Sequence, residues 1–173
     1  MLVKTERLQI VPLGLKYLQS THAYSSDIEN TRLMVYLPNA DINETVRFLE
    51  NVESEWKKER PGFYEFAILK DEEHIGAVSI YIIDEDYTVG EIGWIISKEH
   101  WGKGYATEAA RAMIDFARNE LKLKRIIAHC DSENVASYKV MEKLGMSFIS
   151  KTGGRRNRSS DEERQELLYQ LEL

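Results

Sequence analysis

The sequence of 173 residues has only one cysteine, Cys130, three prolines and no long apolar run. A single cysteine excludes an intramolecular disulfide, so the core has to stabilise the fold. The four histidines lack metal-ligand spacing, and we predict no metal site. No stretch approaches the ~20 apolar residues that span a bilayer, and the N-terminal residues do not resemble a signal peptide. These absences predict a cytoplasmic protein with no membrane partner.

The composition is that of an ordinary globular chain, with 43% hydrophobic and 30% charged residues. A chain of this length is most simply one domain, residues 1–173, that is large enough for a substantial core. The formal net charge of -6 argues against a nucleic-acid partner and favours cationic partners through long-range attraction.

A glycine-spaced segment follows one predicted strand. The strand covers residues 91–96, the glycine-spaced turn covers 102–107, and an amphipathic helix covers 104–120. Backbone N–H groups at a helix N-terminus lack partners within the helix, and the helix dipole adds partial positive charge there. Because small residues let a ligand approach the backbone closely, this segment predicts a phosphate-binding turn.

The order of the remaining patterns predicts the fold class. The predicted strands are 7–11, 64–69, 74–83, 89–96, 125–130, 146–150 and 166–173, and the predicted helices are 13–25, 41–60, 104–120 and 131–144. Residues 153–160 are polar, and we expect a mobile loop there. The order predicts an α/β fold of the α+β type, with a mixed, mostly antiparallel sheet of about seven strands and helices on both faces.

Three blocks of sequence suggest a family. They are Trp101–Ala109, Asp131–Ser137 and Glu142–Met146, and the opening Thr5–Leu8 fits the same pattern. In this order and spacing the blocks resemble the GNAT superfamily of acyl-CoA-dependent N-acetyltransferases. Within it they are most similar to the ribosomal-protein N-terminal acetyltransferases of the RimJ/RimL type. The resemblance covers essentially the whole chain and is strongest between residues 91 and 146.

The resemblance implies a sheet that splays open between strands 89–96 and 125–130 and admits acetyl-CoA. Backbone groups of the first strand would bind the pantetheine arm, the glycine turn would hold the pyrophosphate, and the start of helix 131–144 would contact the cofactor near its thiol. Lys103 and Lys143 are candidates to contact the cofactor phosphates, and the alternative is that they are solvated surface lysines. The implied cofactor-binding residues are Trp94, Ile95, Ile96, Trp101, Gly102, Lys103, Gly104, Tyr105, Ala106, Thr107, Asn134, Ser137, Tyr138 and Lys143.

Two positions depart from the family pattern. Trp101 stands where the superfamily usually has Gln or Arg at the start of the glycine turn. Met141 stands seven residues after Asn134, where many relatives have a tyrosine that protonates the departing thiolate. A thioether cannot donate a proton, so the proton has to come from another group or be dispensable.

Acetyl transfer to an amine needs a base, and Glu91 is the candidate. It begins the strand that would line the cofactor, and an apolar setting raises the pKa of a carboxyl toward a useful value. The alternative is a solvent-facing glutamate at a strand entrance. Ser137 is the candidate acid because it shares a helix face with Asn134. The alternative for Ser137 is a packing or cofactor-positioning hydroxyl, and Tyr138 is the second candidate acid.

Cys130 ends a predicted buried strand beside the implied cleft. A nucleophilic role would need a base next to the thiol, but the adjacent His129 points to the opposite face of the strand. We therefore expect Cys130 to be a buried structural residue.

We predict an enzyme that moves an acetyl group from acetyl-CoA to a primary amine by direct attack in a ternary complex. The branch suggests a protein N-terminus as the acceptor, and a small amine such as a polyamine or an aminoglycoside is the alternative. A non-catalytic acyl-CoA-binding module that regulates a partner stays open because of Met141. The sequence also leaves open whether the protein is a monomer or a homodimer.

Overall fold

The computed structural model describes residues 2–173, so Met1 of the predicted domain lies outside the described residues. The strands are β1 (Val3–Lys4), β2 (Gln9–Pro12), β3 (Phe63–Lys70), β4 (Glu73–Ile82), β5 (Val89–Ile96), β6 (Arg125–Asp131), β7 (Ser147–Arg156) and β8 (Glu163–Glu172). The helices are α1 (Leu18–Ser25), α2 (Ile28–Thr31), α3 (Ile42–Glu55), α4 (Tyr105–Asn119) and α5 (Val135–Lys143), with 3-10 turns at Leu15–Tyr17 and Lys98–His100. None of these helices is long and apolar enough to cross a membrane.

Eight strands form one sheet in the order β1-β2-β3-β4-β5-β6-β8-β7. Every neighbouring pair is antiparallel except β5 and β6, which run parallel. This confirms the predicted mixed, mostly antiparallel sheet. The additional strand is β1, and two residues are too short to show an alternating pattern in the sequence.

Strands β5 and β6 separate soon after they meet. They pair only over Val89–Glu91, opposite residues 125–127. Beyond Glu91, β5 stays paired with β4 on its other side, and β6 stays paired with β8. The edge of β5 that faces β6 therefore has no strand partner along residues 92–96, which confirms the splayed sheet.

Helices cover both faces of the sheet, as predicted. Helices α4 and α5 pack over the larger apolar core, and α1 and α3 pack over a smaller one on the opposite face. Alternation along β5 contributes to both: Ile92 and Ile96 belong to the larger core, whereas Ile95 packs against the smaller. We call these the α4 face and the α3 face.

Helix α3 shows how local sequence sets an element. Asp41 Oδ1 accepts a hydrogen bond from the Glu44 N–H at 2.9 Å, and Glu44 in return accepts the Ala40 N–H at 2.7 Å. Such reciprocal bonds satisfy amides that the first helical turn leaves without partners. Leu49 and Val52 are fully buried against the sheet, so the cap and the apolar spacing together define this helix.

The predicted helix start at Asp131 is wrong. Asp131 is the last residue of β6, and α5 begins only at Val135. Asp131 is fully buried and binds Asn157 and Arg164, which are distant in sequence. An acidic residue before an apolar run looks like a helix cap in sequence, and only the tertiary contacts show that it ends a strand.

The predicted loop at residues 153–160 is wrong in its first half, residues 153–156, whereas residues 157–160 do connect two strands. Strand β7 continues to Arg156 and pairs with β8 across two register shifts, one of them between Thr152 and Arg155. Gly153 and Gly154 lie at that shift, where an irregular strand tolerates glycine. The residues form a long hairpin whose tip contacts the rest of the chain.

Candidate functional site

The glycine turn between β5 and α4 has the backbone conformation that its glycines permit. Gly102 and Gly104 have φ angles of 73° and 81°, in the left-handed region that other residues rarely adopt. Gly104 is the N-cap of α4, and no side chain caps the helix. The first amides of α4 are thus available to an anion, and the helix dipole favours one there.

Two side chains of the turn fold back on the segment before it. The Trp101 indole Nε1 donates to the Ile96 carbonyl at 2.7 Å, and the Lys103 ammonium donates to the Glu99 carbonyl at 3.0 Å. Trp101, at the position that departs from the family pattern, therefore ties the turn to the end of β5. Lys103 is exposed, and its ammonium lies beside the turn.

The segment before β2 clamps the start of α4. The Glu108 carboxylate accepts hydrogen bonds from the Thr5 hydroxyl, the Arg7 N–H and the Arg7 guanidinium at 2.5–2.8 Å. The same guanidinium donates to the Lys103 carbonyl at 2.9 Å and lies 4.8 Å from the centre of the Tyr105 ring. Burial alone would raise the pKa of Glu108, but the bonds from Thr5 and Arg7 hold it below its usual value. We call this set the N-terminal clamp.

A cavity of about 590 Å³ lies beside the turn, between the clamp and the outer surface of α4. Gly104, Thr107 and Arg111 line it, together with Lys143 from the end of α5. Arg111 also donates to the Lys143 carbonyl at 2.9 Å, which fixes the two helices to each other. Lys143 therefore lines the same cavity as Gly104 of the turn, and its role in phosphate binding stays a prediction.

The start of α5 brings Asn134 and Ser137 together. Asn134 is the N-cap, and its Oδ1 accepts the Ser137 N–H at 3.2 Å, which leaves its amide nitrogen to donate elsewhere. The Ser137 hydroxyl lies against the Cys130 thiol. Burial raises the pKa of that thiol to about 11, although the Ser137 bond acts in the opposite direction. A buried thiol of this kind fits the predicted structural role.

The other predicted residues on β5 and α5 differ in where their side chains lie. Trp94 is partly buried against the larger core and Ile95 against the smaller one, so only their backbones can face the open edge of β5. Tyr138 packs against the larger core, and Met141 is 1% exposed within it. The side chain at the family's usual tyrosine position is thus a core residue here.

Glu91 lies on the α3 face, where β5 and β6 begin to separate. Its Oε1 is 3.0 Å from His129 Nδ1. The hydrogen bond from His129 to Glu91 raises the pKa of the imidazole, and burial only partly opposes this. His129 is on the face opposite Cys130, as predicted, but the sequence does not reveal it as the partner of Glu91. Only the parallel register, which places Ile127 beside Glu91, shows this.

A second acidic side chain occupies the same face. Glu65 on β3 is 7% exposed, and its Oε1 accepts a hydrogen bond from the Tyr81 hydroxyl at 2.7 Å. Burial raises the pKa of Glu65 to about 7, against the effect of the Tyr81 bond. Tyr81 lies directly opposite Glu91 across β4 and β5. Glu65 was not among the predicted site residues, and its signal in the sequence is a lone charge within the apolar run of β3.

The β7–β8 hairpin crosses to the segment between α2 and α3. Arg155 donates to the Leu33 carbonyl at 3.0 Å, and Arg158 donates to the Tyr36 carbonyl at 3.2 Å and to Glu44 at 2.6 Å. Tyr36 is 85% exposed beside the α3 face and close enough to Tyr81 to affect its pKa. The hairpin and this segment therefore border the face that carries Glu65, Tyr81 and Glu91.

Comparison with known proteins identifies the family. The model of the acetyltransferase (GNAT) domain matches residues 7–147. The chain belongs to the GNAT family of acetyltransferases. A curated relative, the uncharacterized N-acetyltransferase YnaD of Bacillus subtilis (strain 168), is 35% identical over 147 residues, which are 83% of this chain and 81% of YnaD. The chain is thus a GNAT-type acyltransferase.

Solved structures agree with this GNAT fold. A GNAT-family acetyltransferase from Bacillus anthracis superposes with a TM-score of 0.85 at 28% identity and covers 99% of this chain and 98% of its own. RimL, a ribosomal L7/L12 alpha-N-protein acetyltransferase solved in complex with coenzyme A, superposes with a TM-score of 0.88 at 14% identity, over 100% and 98% of the chains. At 14% identity the second likeness concerns the fold alone.

The GNAT fold brings the predicted site residues together in two groups. The turn, Lys143, Asn134 and Ser137 lie on or beside the α4 face, whereas Glu91 lies on the α3 face at the point where the strands part. Their roles in binding and catalysis stay predictions. The second group also contains His129, Glu65 and Tyr81. Strand register places them near Glu91, and no local sequence motif predicts that register.

Proposed function

We propose that this enzyme transfers an acetyl group from acetyl-CoA to the α-amino group of a protein or peptide N-terminus, in the manner of the RimJ/RimL branch. The observation that carries the proposal is the Glu91–His129 pair at the mouth of the splay. It supplies a carboxylate base where an extended cofactor between β5 and β6 would present its acetyl group.

Glu91 is the proposed base. An α-amino group has a pKa of about 7.7–8.0, so it is largely protonated at neutral pH and has to lose a proton before it attacks. The amine nitrogen then bonds to the acetyl carbon, the carbon–sulfur bond breaks, and the amine proton passes to Glu91. His129 Nδ1, which is 3.0 Å from Glu91 Oε1, would orient the carboxylate toward the amine, and the hydrogen bond to Glu91 raises the pKa of the imidazole.

The α4 face is the proposed cofactor side. The amides of residues 104–107 would bind the pyrophosphate, the open edge of β5 would bind the pantetheine arm, and Lys143 would contact the nucleotide end. Asn134 would use its remaining amide donors near the thiol. Ser137 stays the proposed proton donor to the thiolate, because it is half-buried in the first turn of α5 beside Asn134.

Two observations support the branch. The opening Thr5–Leu8 segment, which suggested the branch in the sequence, has a structural role because it forms the N-terminal clamp on the phosphate-binding turn. RimL, whose fold superposes over the whole chain, acts on the α-amino group of a ribosomal protein. Together they motivate a protein N-terminus ahead of other primary amines.

The test measures thiol release from acetyl-CoA with matched acceptors. One peptide is supplied with a free and with a blocked N-terminus, and polyamines and aminoglycosides are assayed beside it. We expect turnover with the free peptide and none with the blocked one, and mass spectrometry locates the acetyl group on the α-nitrogen. Turnover confined to the small amines would overturn the N-terminal proposal and keep the GNAT chemistry.

A further inference from the structure

The chain has three buried carboxylates, and one of them differs from the others. Glu55 has Lys58 as its cationic partner, and Asp131 has Arg164 together with Asn157. Glu65 has only the Tyr81 hydroxyl, and no cation among residues 2–173 contributes to its environment. An isolated buried carboxylate is costly unless a cation lies beside it. Glu65 therefore lacks the kind of partner that stabilises the other two.

Strand register places Glu65 at a defined distance from the proposed base. Glu65 lies opposite Ser79, Ser79 lies opposite Gly93, and Glu91 is two residues from Gly93 along β5. Neighbouring strands are about 4.8 Å apart and residues rise about 3.4 Å along a strand, which puts the two positions about 12 Å apart. Both side chains stand on the α3 face.

Tyr81 connects the two acidic groups. Its backbone is opposite Glu91, its hydroxyl reaches Glu65, and its side chain is 37% exposed. The Phe63 ring stacks against it, with ring centres 4.9 Å apart and planes 15° apart. This aromatic surface can support the apolar part of an acceptor and the face of a cation.

We propose that Glu65 and Tyr81 form a cation-binding subsite that selects acceptors with a second positive charge about 12 Å from the reacting amine. The inference rests on the proposed function of Glu91 as the base. The second charge is an ammonium or guanidinium group, and its source is either a polyamine or a Lys or Arg side chain near the N-terminus of a peptide. The net charge of -6 attracts both kinds of acceptor.

The first experiment compares monocationic acceptors with acceptors that carry at least one further positive charge, which we call dicationic, although spermidine carries three charges in all. The probes are spermidine beside butylamine, and a Ser-initiated tetrapeptide with Lys at its third position beside the same peptide with norleucine there. We expect the dicationic member of a pair to have a KM at least about tenfold lower in the native enzyme, as one new charged contact predicts. The pair that shows the difference identifies the source of the charge.

The matched variants are Glu65→Gln and Glu120→Gln. Gln keeps the size of the Glu65 side chain and still accepts the Tyr81 hydrogen bond, whereas exposed Glu120 after α4 tests the loss of one negative charge alone. We expect Glu65→Gln to raise the KM of the dicationic acceptor about tenfold. In the same variant, kcat and the KM of the monocationic acceptor should be nearly unchanged. Glu120→Gln should change the KM of neither acceptor. A preference that survives in Glu65→Gln would overturn the subsite.

Binding of spermidine and of the Lys peptide to the coenzyme A complex, by calorimetry in two buffers, separates the subsite from catalysis. Because Glu65 is partly protonated near neutral pH, a cation bound beside it releases a proton, and the observed heat depends on the buffer. The neighbours Tyr24, Tyr81 and Glu91 carry no positive charge, but His129 on the same face also titrates, so the same measurement on Glu65→Gln identifies the part of the proton release that belongs to Glu65. Proton-linked binding without turnover would keep the subsite and reject the proposed function. The subsite would be rejected if neither probe bound to the native enzyme. It would also be rejected if both probes bound to Glu65→Gln with the same affinity as to the native enzyme.

Discussion

The two faces of the sheet are built in different ways. On the α4 face, the turn, its uncapped helix and the start of α5 come from short contiguous segments, and the N-terminal clamp holds the turn and the start of α4. On the α3 face, Glu65, Tyr81, Glu91 and His129 come from four strands, and each acquires its neighbours only through strand pairing. The proposed cofactor side is therefore local in sequence, whereas the proposed acceptor side depends on the assembled sheet.

The strongest test of the α4 face is Gly104→Glu. The new side chain is forced into a left-handed conformation and brings a carboxylate to the amides that would hold the pyrophosphate. We expect the Kd of acetyl-CoA to rise roughly 100-fold or more by calorimetry. Gly145→Glu is the matched control, because its φ of 80° imposes the same strain on a glycine after α5. Equal losses in both variants would remove the turn from the site.

The corresponding test of the α3 face is Glu91→Gln. Loss of a general base lowers kcat/KM by about 100-fold near pH 7, and the deficit shrinks as pH rises because the free amine loses its proton unaided. The Kd of acetyl-CoA should stay unchanged, in contrast to Gly104→Glu. Glu85→Gln, in the exposed turn after β4, is the control. An unaltered pH–rate profile in Glu91→Gln would show that Glu91 is not the general base.

The same variant has a spectroscopic consequence at His129. The Glu91 hydrogen bond raises the pKa of the imidazole above its usual value of about 6.5. In Glu91→Gln we expect the pKa of His129 to fall, since the carboxylate is gone and burial lowers it further. Proton NMR titration of the imidazole measures this shift. A pKa that did not move would show that the pair is not formed in solution.

The hairpin that borders the acceptor side can be weakened by Asn157→Ala. Burial alone would raise the pKa of Asp131, but bonds from Arg164, the Glu133 N–H and Asn157 hold it below its usual value. Removal of Asn157 leaves one buried oxygen with fewer donors, and the free energy of unfolding should fall by about 1–3 kcal/mol in urea titrations. Exposed Ser160→Ala, at the same tip, should change it little.

The pH dependence of this effect has a definite sign. A carboxyl with a lowered folded pKa contributes stability above its unfolded pKa of about 3.9, and the contribution disappears as pH falls through the folded value. In Asn157→Ala the folded pKa of Asp131 rises toward the unfolded one, so less of this contribution remains at neutral pH. Unfolding curves at pH 7 and at pH 3 should therefore differ less in the variant than in the native protein.

The smallest expected effect concerns the N-terminal clamp. Arg7→Gln removes a bond to the turn and should raise the Kd of coenzyme A about fivefold, while pantetheine, which lacks the phosphates, binds as before. The double variant Arg7→Gln/Glu108→Gln separates two causes. If the clamp positions the turn, the double variant stays as weak as the single one. If only the balance of charge matters, affinity returns.

Much of the fold follows from the sequence, since alternation and helical spacing are local patterns. The meander of β3, β4 and β5 and the long helices α3 and α4 follow from them. Asp131 and the β7–β8 hairpin were assigned wrongly because their conformation depends on distant partners. Asp131 is held by Arg164 and Asn157, and the hairpin by the backbone between α2 and α3.

The sequence by itself determined the α/β fold class and the glycine turn, because a helix start, a left-handed glycine and an apolar period are set by neighbours along the chain. The GNAT family came from the resemblance of three sequence blocks. Only the tertiary structure decided which side chains surround Glu91. A strand shows which residues share a face, but pairing decides which strand lies beside it and in which register. Strand pairing brought His129 to Glu91, and it placed Glu65 beside the Tyr81 hydroxyl with no cationic side chain from the described part of the chain next to it.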